Sequence, residues 1–217
     1  LILQRLGKAM KSMVGFFHQH LVQQRRQERL SQHLAELAGG QPGLSVLDVG
    51  CGSGQIAANL GRRLNQAQIE GVDVLVRPNT YIPVRPFDGQ QLPFPDGSFD
   101  YVLLVDVLHH TLDPQEVLRE CLRVSRRGVW LKDHLCNSAW DRFRLRVLDW
   151  VGNWGHGVAL PYNYLSGLEW KRVFFELKVT PRRWRQRLGM YPEVFRWLLE
   201  GSMNFVTWLE PDAEVAD

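Results

Sequence analysis

Apolar positions in the first forty residues fall at helical spacing. Leu3, Leu6, Met10, Val14, Phe17 and Leu21 recur in steps of three and four, as do Leu30, Leu34 and Leu37. Gly39, Gly40, Pro42 and Gly43 then break the pattern, so residues 1–40 are predicted as a helical N-terminal extension or lid. From residue 44 the pattern changes to short apolar runs separated by amphipathic segments. Residues 44–49, 68–74, 101–107 and 128–132 read as strands. Residues 55–64 place Ile56, Leu60 and Leu64 on one helical face. Asp113-Pro114-Gln115-Glu116 reads as a helix start, with an N-cap Asp, Pro at the first helical position and Glu placed as in a capping box. Between 75 and 86, three prolines (Pro78, Pro83, Pro86) argue for a loop where a crossover helix would otherwise stand. Strand–helix alternation of this kind implies a parallel sheet with right-handed crossovers. Beyond Cys136, helical patches alternate with Gly-rich turns, and 174–179 and 204–209 are further strand candidates. The expected fold is α/β: a Rossmann-like, doubly wound, seven-stranded and mostly parallel sheet with one antiparallel strand near the C-terminus.

Composition narrows the function classes. The 217 residues are 45% hydrophobic and 23% charged, which suits one globular core. Lys and Arg number 26 against 23 Asp and Glu, without the basic excess of a dedicated nucleic-acid binder. Cys51, Cys121 and Cys136 are far apart and form no CxxC pair, which argues against a disulfide scaffold or a zinc ribbon and for a reducing, cytoplasmic compartment. No run reaches the ~18 apolar residues of a membrane span, and no signal peptide is expected.

The strongest chemical signal is Asp48-Val49-Gly50-Cys51-Gly52-Ser53-Gly54, at a strand-to-helix junction where a parallel sheet meets its ligands. Glycines there let backbone approach a ligand, and the helix starting near Gln55 offers N–H groups to a carboxylate. Residue 55 is Gln, so the dinucleotide fingerprint G-x-G-x-x-G is absent, and no Gly-Lys-Ser/Thr phosphate loop follows. Asp48 suits a positively charged ligand group such as an ammonium. Asp73, 19 residues past Gly54 at the end of the second strand, can accept both hydroxyls of a ribose. Asp88, in Phe87-Asp88-Gly89-Gln90-Gln91-Leu92-Pro93-Phe94, can accept an adenine amine. The implied ligand carries an ammonium, a carboxylate, a ribose and an adenine.

These residues resemble the class I S-adenosylmethionine-dependent methyltransferases, in particular the methyltransferase type 11 group that includes the ubiquinone and menaquinone C-methyltransferases. The likeness covers about residues 44–135. The family pattern D-x-G-x-G-x-G falls on Asp48, Gly50, Gly52 and Gly54, its ribose acid on Asp73, and its D-x-x-x-L-P-F-x-D-x-S-F-D run on Asp88 through Asp100. Its fourth-strand segment falls on Val105-Asp106-Val107-Leu108-His109-His110. The resemblance implies S-adenosylmethionine as cofactor, held by Asp48, Gly50, Cys51, Gly52, Gly54, Asp73, Val74, Asp88, Gly89, Gln90 and Val105. It also implies a methyltransferase domain over residues 41–217, with residues 136–172 inserted as an acceptor-side cap.

Methyl transfer needs a base only when the acceptor loses a proton. His110 and His134 follow strands whose carboxyl ends face the cofactor, and either is a candidate base, with a rate rising around the ordinary imidazole pKa of ~6.5. His109, Trp154, His156, Tyr162 and Tyr164 are candidate acceptor contacts. The aromatics Trp140, Trp150, Trp154, Tyr162 and Tyr164 predict a lid over a largely apolar or aromatic small molecule. No metal is expected, because the histidines lack HExxH or His-x₃-His spacing. The run 181–187 is read as a solvated helix face. Arg5, Lys8, Lys11, Arg25, Arg26 and Arg29 allow peripheral contact with an anionic membrane. Nucleic acid is not the expected partner on the charge balance, and the absence of an N/D-P-P-Y motif after residues 101–107 argues against amino-group methylation of bases. The rival readings are a non-catalytic S-adenosylmethionine-binding protein and an RNA methyltransferase.

Overall fold

The structure is a computed structural model and describes residues 23–152, 161–193, 196 and 200–212. The periodic segment from Leu3 to Leu21 lies outside them. In chain order the elements are α1 (Gln24–Ala38), β1 (Ser45–Val49), α2 (Gln55–Gly61), β2 (Gln68–Asp73), β3 (Val84–Pro86), β4 (Tyr101–Val105), α3 (Pro114–Val124), β5 (Val129–His134), α4 (Ala139–Gly152), α5 (Gly167–Glu176), β6 (Val179–Gln186) and β7 (Asn204–Pro211). The strands form one seven-stranded sheet in the order β3-β2-β1-β4-β5-β7-β6. All neighbours from β3 to β5 pair in parallel, and β7 runs antiparallel to both β5 and β6.

Alternation along the central strands sends side chains to opposite faces of the sheet. Leu47, Val49, Val102, Leu104, Val129 and Leu131 join one core with α3 (Leu118, Cys121) and α5 (Trp170, Phe174). Val46, Tyr101, Leu103, Trp130 and Val206 join the other with α1 (Leu30, Leu34, Leu37) and Leu60 of α2. Strands buried on both faces read as continuous apolar runs, which is why β1, β4 and β5 were legible. Within the second core Tyr101 stacks on Trp130, their centroids 4.3 Å apart. Gly39 adopts a left-handed conformation at the end of α1, as its sequence predicts. Asp113 caps α3 by accepting the Gln115 and Glu116 amides. Glu116 turns its side chain to Arg119 rather than back to the cap.

Several expectations are corrected. Residues 174–179 are not a strand. Ser166 and Glu169 form a capping box that starts α5, and Trp170 and Phe174 bury one face of it. The strand begins only at Val179. Residues 181–187 are likewise not a helix: 181–186 lie in β6, the edge strand, with a bulge between Arg182 and Arg185. Its charges and Pro181 blunt an edge that would otherwise invite pairing, and Trp184 stacks flat on Phe205 at 4.2 Å. The loop after β2 does replace a helix, but its last three residues pair with β2 as β3.

Of the N-terminal basic residues, Arg5, Lys8 and Lys11 lie outside the described residues, and the other three make contacts within the fold. Arg26 pairs with Asp106 in the interior, the Arg25 Nε donates to the Gly189 carbonyl at 3.2 Å, and Arg29 donates to Gln32 at 3.1 Å. Among the described residues, no helix is long and apolar enough to cross a membrane.

Gly128, at φ +114°, enters β5 where a Cβ would stand 2.0 Å from the Leu209 carbonyl oxygen. Gly128→Ala must therefore push β7 away from β5 as well as strain the backbone. A loss of at least ~2 kcal/mol in chemical denaturation is expected, at the upper end of ordinary point-mutant effects. A variant as stable as the wild type would show that this strand junction tolerates movement.

Candidate active site

The loop 50–54 leaves the carboxyl end of β1 and is tied to β2 by the Gly50 amide, which donates to the Val72 carbonyl at 2.8 Å. Two of its glycines are dictated by packing. A Cβ on Gly50 would meet Val107 at 2.7 Å, and one on Gly54 would meet Ile82 at 2.4 Å. Gly52 is different: the nearest atoms to its Cβ position belong to the Arg77 guanidinium, at 3.7 Å. Gly52 therefore keeps the open ligand-side space that the sequence assigned to the whole motif. Arg77 went unremarked in the sequence because it sits in the proline-rich loop and matches no motif.

Asp73 holds this arrangement together. One carboxylate oxygen accepts the Gly52 amide at 2.7 Å and the other accepts the Leu75 amide at 2.8 Å. Each oxygen retains a lone pair for a further donor. Beside it, Val74 and Leu75 are more than half exposed, an apolar ledge that a Cβ on Gly89 would meet at 3.2 Å from Val74. Asp88 accepts the Gln90 and Gln91 amides at 2.8 and 3.0 Å, so it shapes the turn at the ledge's edge. Structure thus brings Gly52, Asp73, Val74, Asp88, Gly89 and Gln90 to one rim. The Cys51 thiol lies against Gly71, where an added Cβ would meet it at 2.6 Å, and burial pushes its pKa up, so it packs rather than attacks.

Asp48 lies beneath the loop. It is buried, in register with Gly71 of β2 and Leu103 of β4, and burial followed by the Asp73 charge pushes its pKa up to about 8. A carboxyl so placed favours either a proton or a neighbouring cation.

The carboxyl ends of β4 and β5 build a second cluster. Asp106, just past β4, takes a left-handed backbone (φ 56°), a costly conformation for a non-glycine residue. Its carboxylate pairs with Lys132 from β5 and Arg26 from α1, and lies 3.3 Å from the His134 Nε2. Burial opposes its ionisation, but Lys132, Arg26 and His134 outweigh that and hold its pKa well below the usual range. Next to it, His109 Nδ1 donates to Asp133 at 2.8 Å, and Asp133 also accepts the Leu108 and His134 amides. His109 Nε2 lies 3.4 Å from Asp149 of α4, which the Tyr164 hydroxyl also contacts. Burial opposes protonation of His109, yet Asp133 and then Asp149 raise its pKa.

The two candidate bases differ from expectation. His110 is half-buried, and burial followed by His109 lowers its pKa. His134 is partly buried, and burial followed by Lys132 pushes it to about 3. A rate rising around ~6.5, the ordinary imidazole value, is therefore corrected downwards for both. His109, assigned as an acceptor contact, is only 2% exposed and belongs to the interior network. Trp140 and Trp150 of α4 are 57% and 51% exposed. Tyr164 is buried and Tyr162 half-buried, 6.1 Å apart between centroids. Trp154 and His156 lie outside the described residues. The sequence missed Asp106, Lys132 and Asp149 as partners, since no spacing rule links a strand end, the middle of a strand and a helix about forty residues apart.

Residues 47–131 match the model of a methyltransferase domain family. The chain is 28% identical to a ubiquinone/menaquinone biosynthesis C-methyltransferase of Cupriavidus taiwanensis, over 59% of this chain and 61% of that protein. It is 33% identical to a ubiquinone biosynthesis O-methyltransferase of Escherichia coli O157:H7, over 46% of this chain and 45% of that one. The chain thus spans about half to three fifths of these curated relatives. Among solved structures, a magnesium protoporphyrin IX methyltransferase of Synechocystis with bound SAH superposes with a TM-score of 0.59 at 17% identity, covering 88% of this chain and 85% of that one.

The Asp48 environment generates a prediction about pH. Its folded pKa of about 8 exceeds the ~3.9 of an unfolded Asp, so folding takes up a proton between those values. Stability of the ligand-free protein therefore falls as pH rises from ~4 to ~8. Asp48→Asn removes this term, so its thermal midpoint gains on the wild type with increasing pH. Melting curves across that window check it; a constant difference between the two proteins would contradict it.

Proposed function

We propose that this chain, whose residues 47–131 match a methyltransferase domain family, is a class I S-adenosylmethionine-dependent methyltransferase that transfers the methyl group of S-adenosylmethionine to a small-molecule acceptor. The observation that carries this reading is the loop held by Asp73 over the buried Asp48, a carboxyl whose ionisation calls for a cationic partner. The residues present fit the cofactor. Asp48 would balance its ammonium group, the backbone around Gly52 would face its amino-acid end, and Asp73 would accept its ribose hydroxyls. Val74 and the turn Asp88-Gly89-Gln90 would flank its adenine, and Val105 at the end of β4 would close the floor. When bound, the cofactor supplies a methyl group on a positively charged sulfur that is already activated for displacement.

The protein's own contribution is chiefly position. Holding two reactants in line can supply ~7–11 kcal/mol of a barrier, and proton removal is needed only for acceptors that must lose one. Both His110 and His134 are weak bases in their surroundings, so orientation of the acceptor is assigned the larger share. His110, the more accessible of the two, remains the candidate proton acceptor. Half-buried Tyr162 fits acceptor contact, whereas Tyr164 is buried and hydrogen-bonded to Asp149; residues 136–172 fit an acceptor-side cap on a methyltransferase unit of residues 41–217, with residues 1–40 as its helical extension. A small acceptor is favoured over RNA by the near-balanced charge and by relatives named for quinone-pathway methylation.

Two measurements test the reading. Calorimetry with S-adenosylmethionine should show binding, weakened about 10- to 100-fold in Asp73→Ala, the equivalent of one charge-assisted hydrogen bond at ~1.5–3 kcal/mol. Labelled methyl groups should enter a metabolite extract rather than an RNA pool. Absence of binding would overturn the cofactor assignment, and label appearing in RNA alone would overturn the acceptor class.

A further inference from the structure

The cluster beyond β4 and β5 contains more ligating chemistry than methyl transfer requires. A ring nitrogen from each of His109 and His110 and a carboxylate oxygen of Asp149 lie within 4.8 Å of one another. His109 carries the sharpest sign. Its Nδ1 is engaged by Asp133 at 2.8 Å, while its Nε2 is fully buried with no hydrogen-bond partner among the described residues. A carboxylate on one ring nitrogen fixes the tautomer and leaves the lone pair on the other, the arrangement metal-bound histidines use. That other nitrogen stands 3.4 Å from Asp149 Oδ2. Two ligands bound at ~2.0–2.1 Å to one tetrahedral ion are separated by about the same distance. His110 adds a second buried ring nitrogen, Nδ1, that also lacks a partner there.

An alternative trio of Asp106, His109 and His134 also comes within ligating range. Asp106, however, is already engaged by Lys132 and Arg26, and an ion there would sit against two cations. Sequence spacing argued against a metal only because these ligands come from a turn after β4 and from α4.

We propose that His109, His110 and Asp149 form a binding site for a divalent transition-metal ion of the zinc class, with Asp133 positioning His109. Two nitrogens and one oxygen suit such an ion and leave coordination positions for water or an acceptor oxygen. The acceptor-side placement rests on the methyltransferase reading; the metal site does not. Cofactor calorimetry tests the former and metal titration the latter, so the two fail separately.

The test is titration of untagged, metal-free protein with cobalt(II), followed by visible spectroscopy, and equilibrium dialysis with zinc(II). One equivalent of cobalt should bind with the d–d bands of a low-coordinate site, and zinc should displace it. His109→Ala and Asp149→Asn should abolish the bands with the far-ultraviolet circular dichroism unchanged. Asp133→Asn should weaken binding about 10- to 100-fold, as loss of an outer carboxylate does. His134→Ala should bind as the wild type does. Absence of d–d bands in the wild type overturns the proposal without need of any folded variant. Unchanged binding in His109→Ala places the ion elsewhere and overturns it too, and loss in His134→Ala but not His110→Ala assigns the other trio.

Discussion

The partly buried charge of Asp106 is the constraint around which the carboxyl end of this sheet is organised. A parallel sheet ends its strands together, so the residues after β4 and β5 are forced into one space. An ion there is tolerable only when paired, since removing a charge from water costs several kcal/mol even after relaxation. Asp106 meets that requirement with Lys132 from the neighbouring strand and Arg26 from α1. The pairing docks α1 across the sheet end and holds His134 by its Nε2. Removing Lys132 would leave Asp106 and Arg26 to readjust in a confined space, and removing Asp106 would leave two cations facing each other. One acid thus couples the N-terminal helix to the strand ends.

A second carboxylate divides the site into functional halves. Asp73 clamps the glycine loop through the Gly52 amide, whereas Asp133 collects the Leu108 amide, the His134 amide and the His109 ring. Both acids sit at or next to strand ends, and both organise backbone before they meet any ligand. The loop half carries unmet demand for positive charge at Asp48. The histidine half carries unmet ligand capacity at His109. Electrostatics therefore separates the glycine-loop region from the histidine region at the carboxyl end of one sheet, with Val107 packed against Gly50 between them.

Glycine in the loop shows how a motif mixes two requirements. Gly50 and Gly54 are excluded from bearing side chains by Val107 and Ile82, neighbours contributed by other segments. At Gly52 a Cβ would find room, and the left-handed φ of +58° is what favours glycine. A pattern of three glycines carries a single apparent meaning in one dimension and two in three dimensions.

What the sequence determined by itself was local and repetitive. Continuous apolar runs identified the buried strands because both faces of a parallel sheet are covered, and Gly39, Asp113 and the prolines after β2 marked ends that depend only on near neighbours. The glycine loop and the turns at Asp73 and Asp88 were legible because their backbone hydrogen bonds join residues at fixed short spacings or at strand ends. The failures were non-local. Residues 181–186 carry enough charge to pass for a solvated helix face, and only pairing with β7 and the Trp184 stack on Phe205 make them an edge strand. Trp140 and Trp150 could be counted in the sequence, but the rotation of α4 decided their exposure. The histidine network was hidden for the same reason. His109, Asp133, Asp149 and Arg26 are brought together by the order of strands in the sheet and the docking of two helices, and that order is chosen by burial summed over the whole chain rather than by any segment of it.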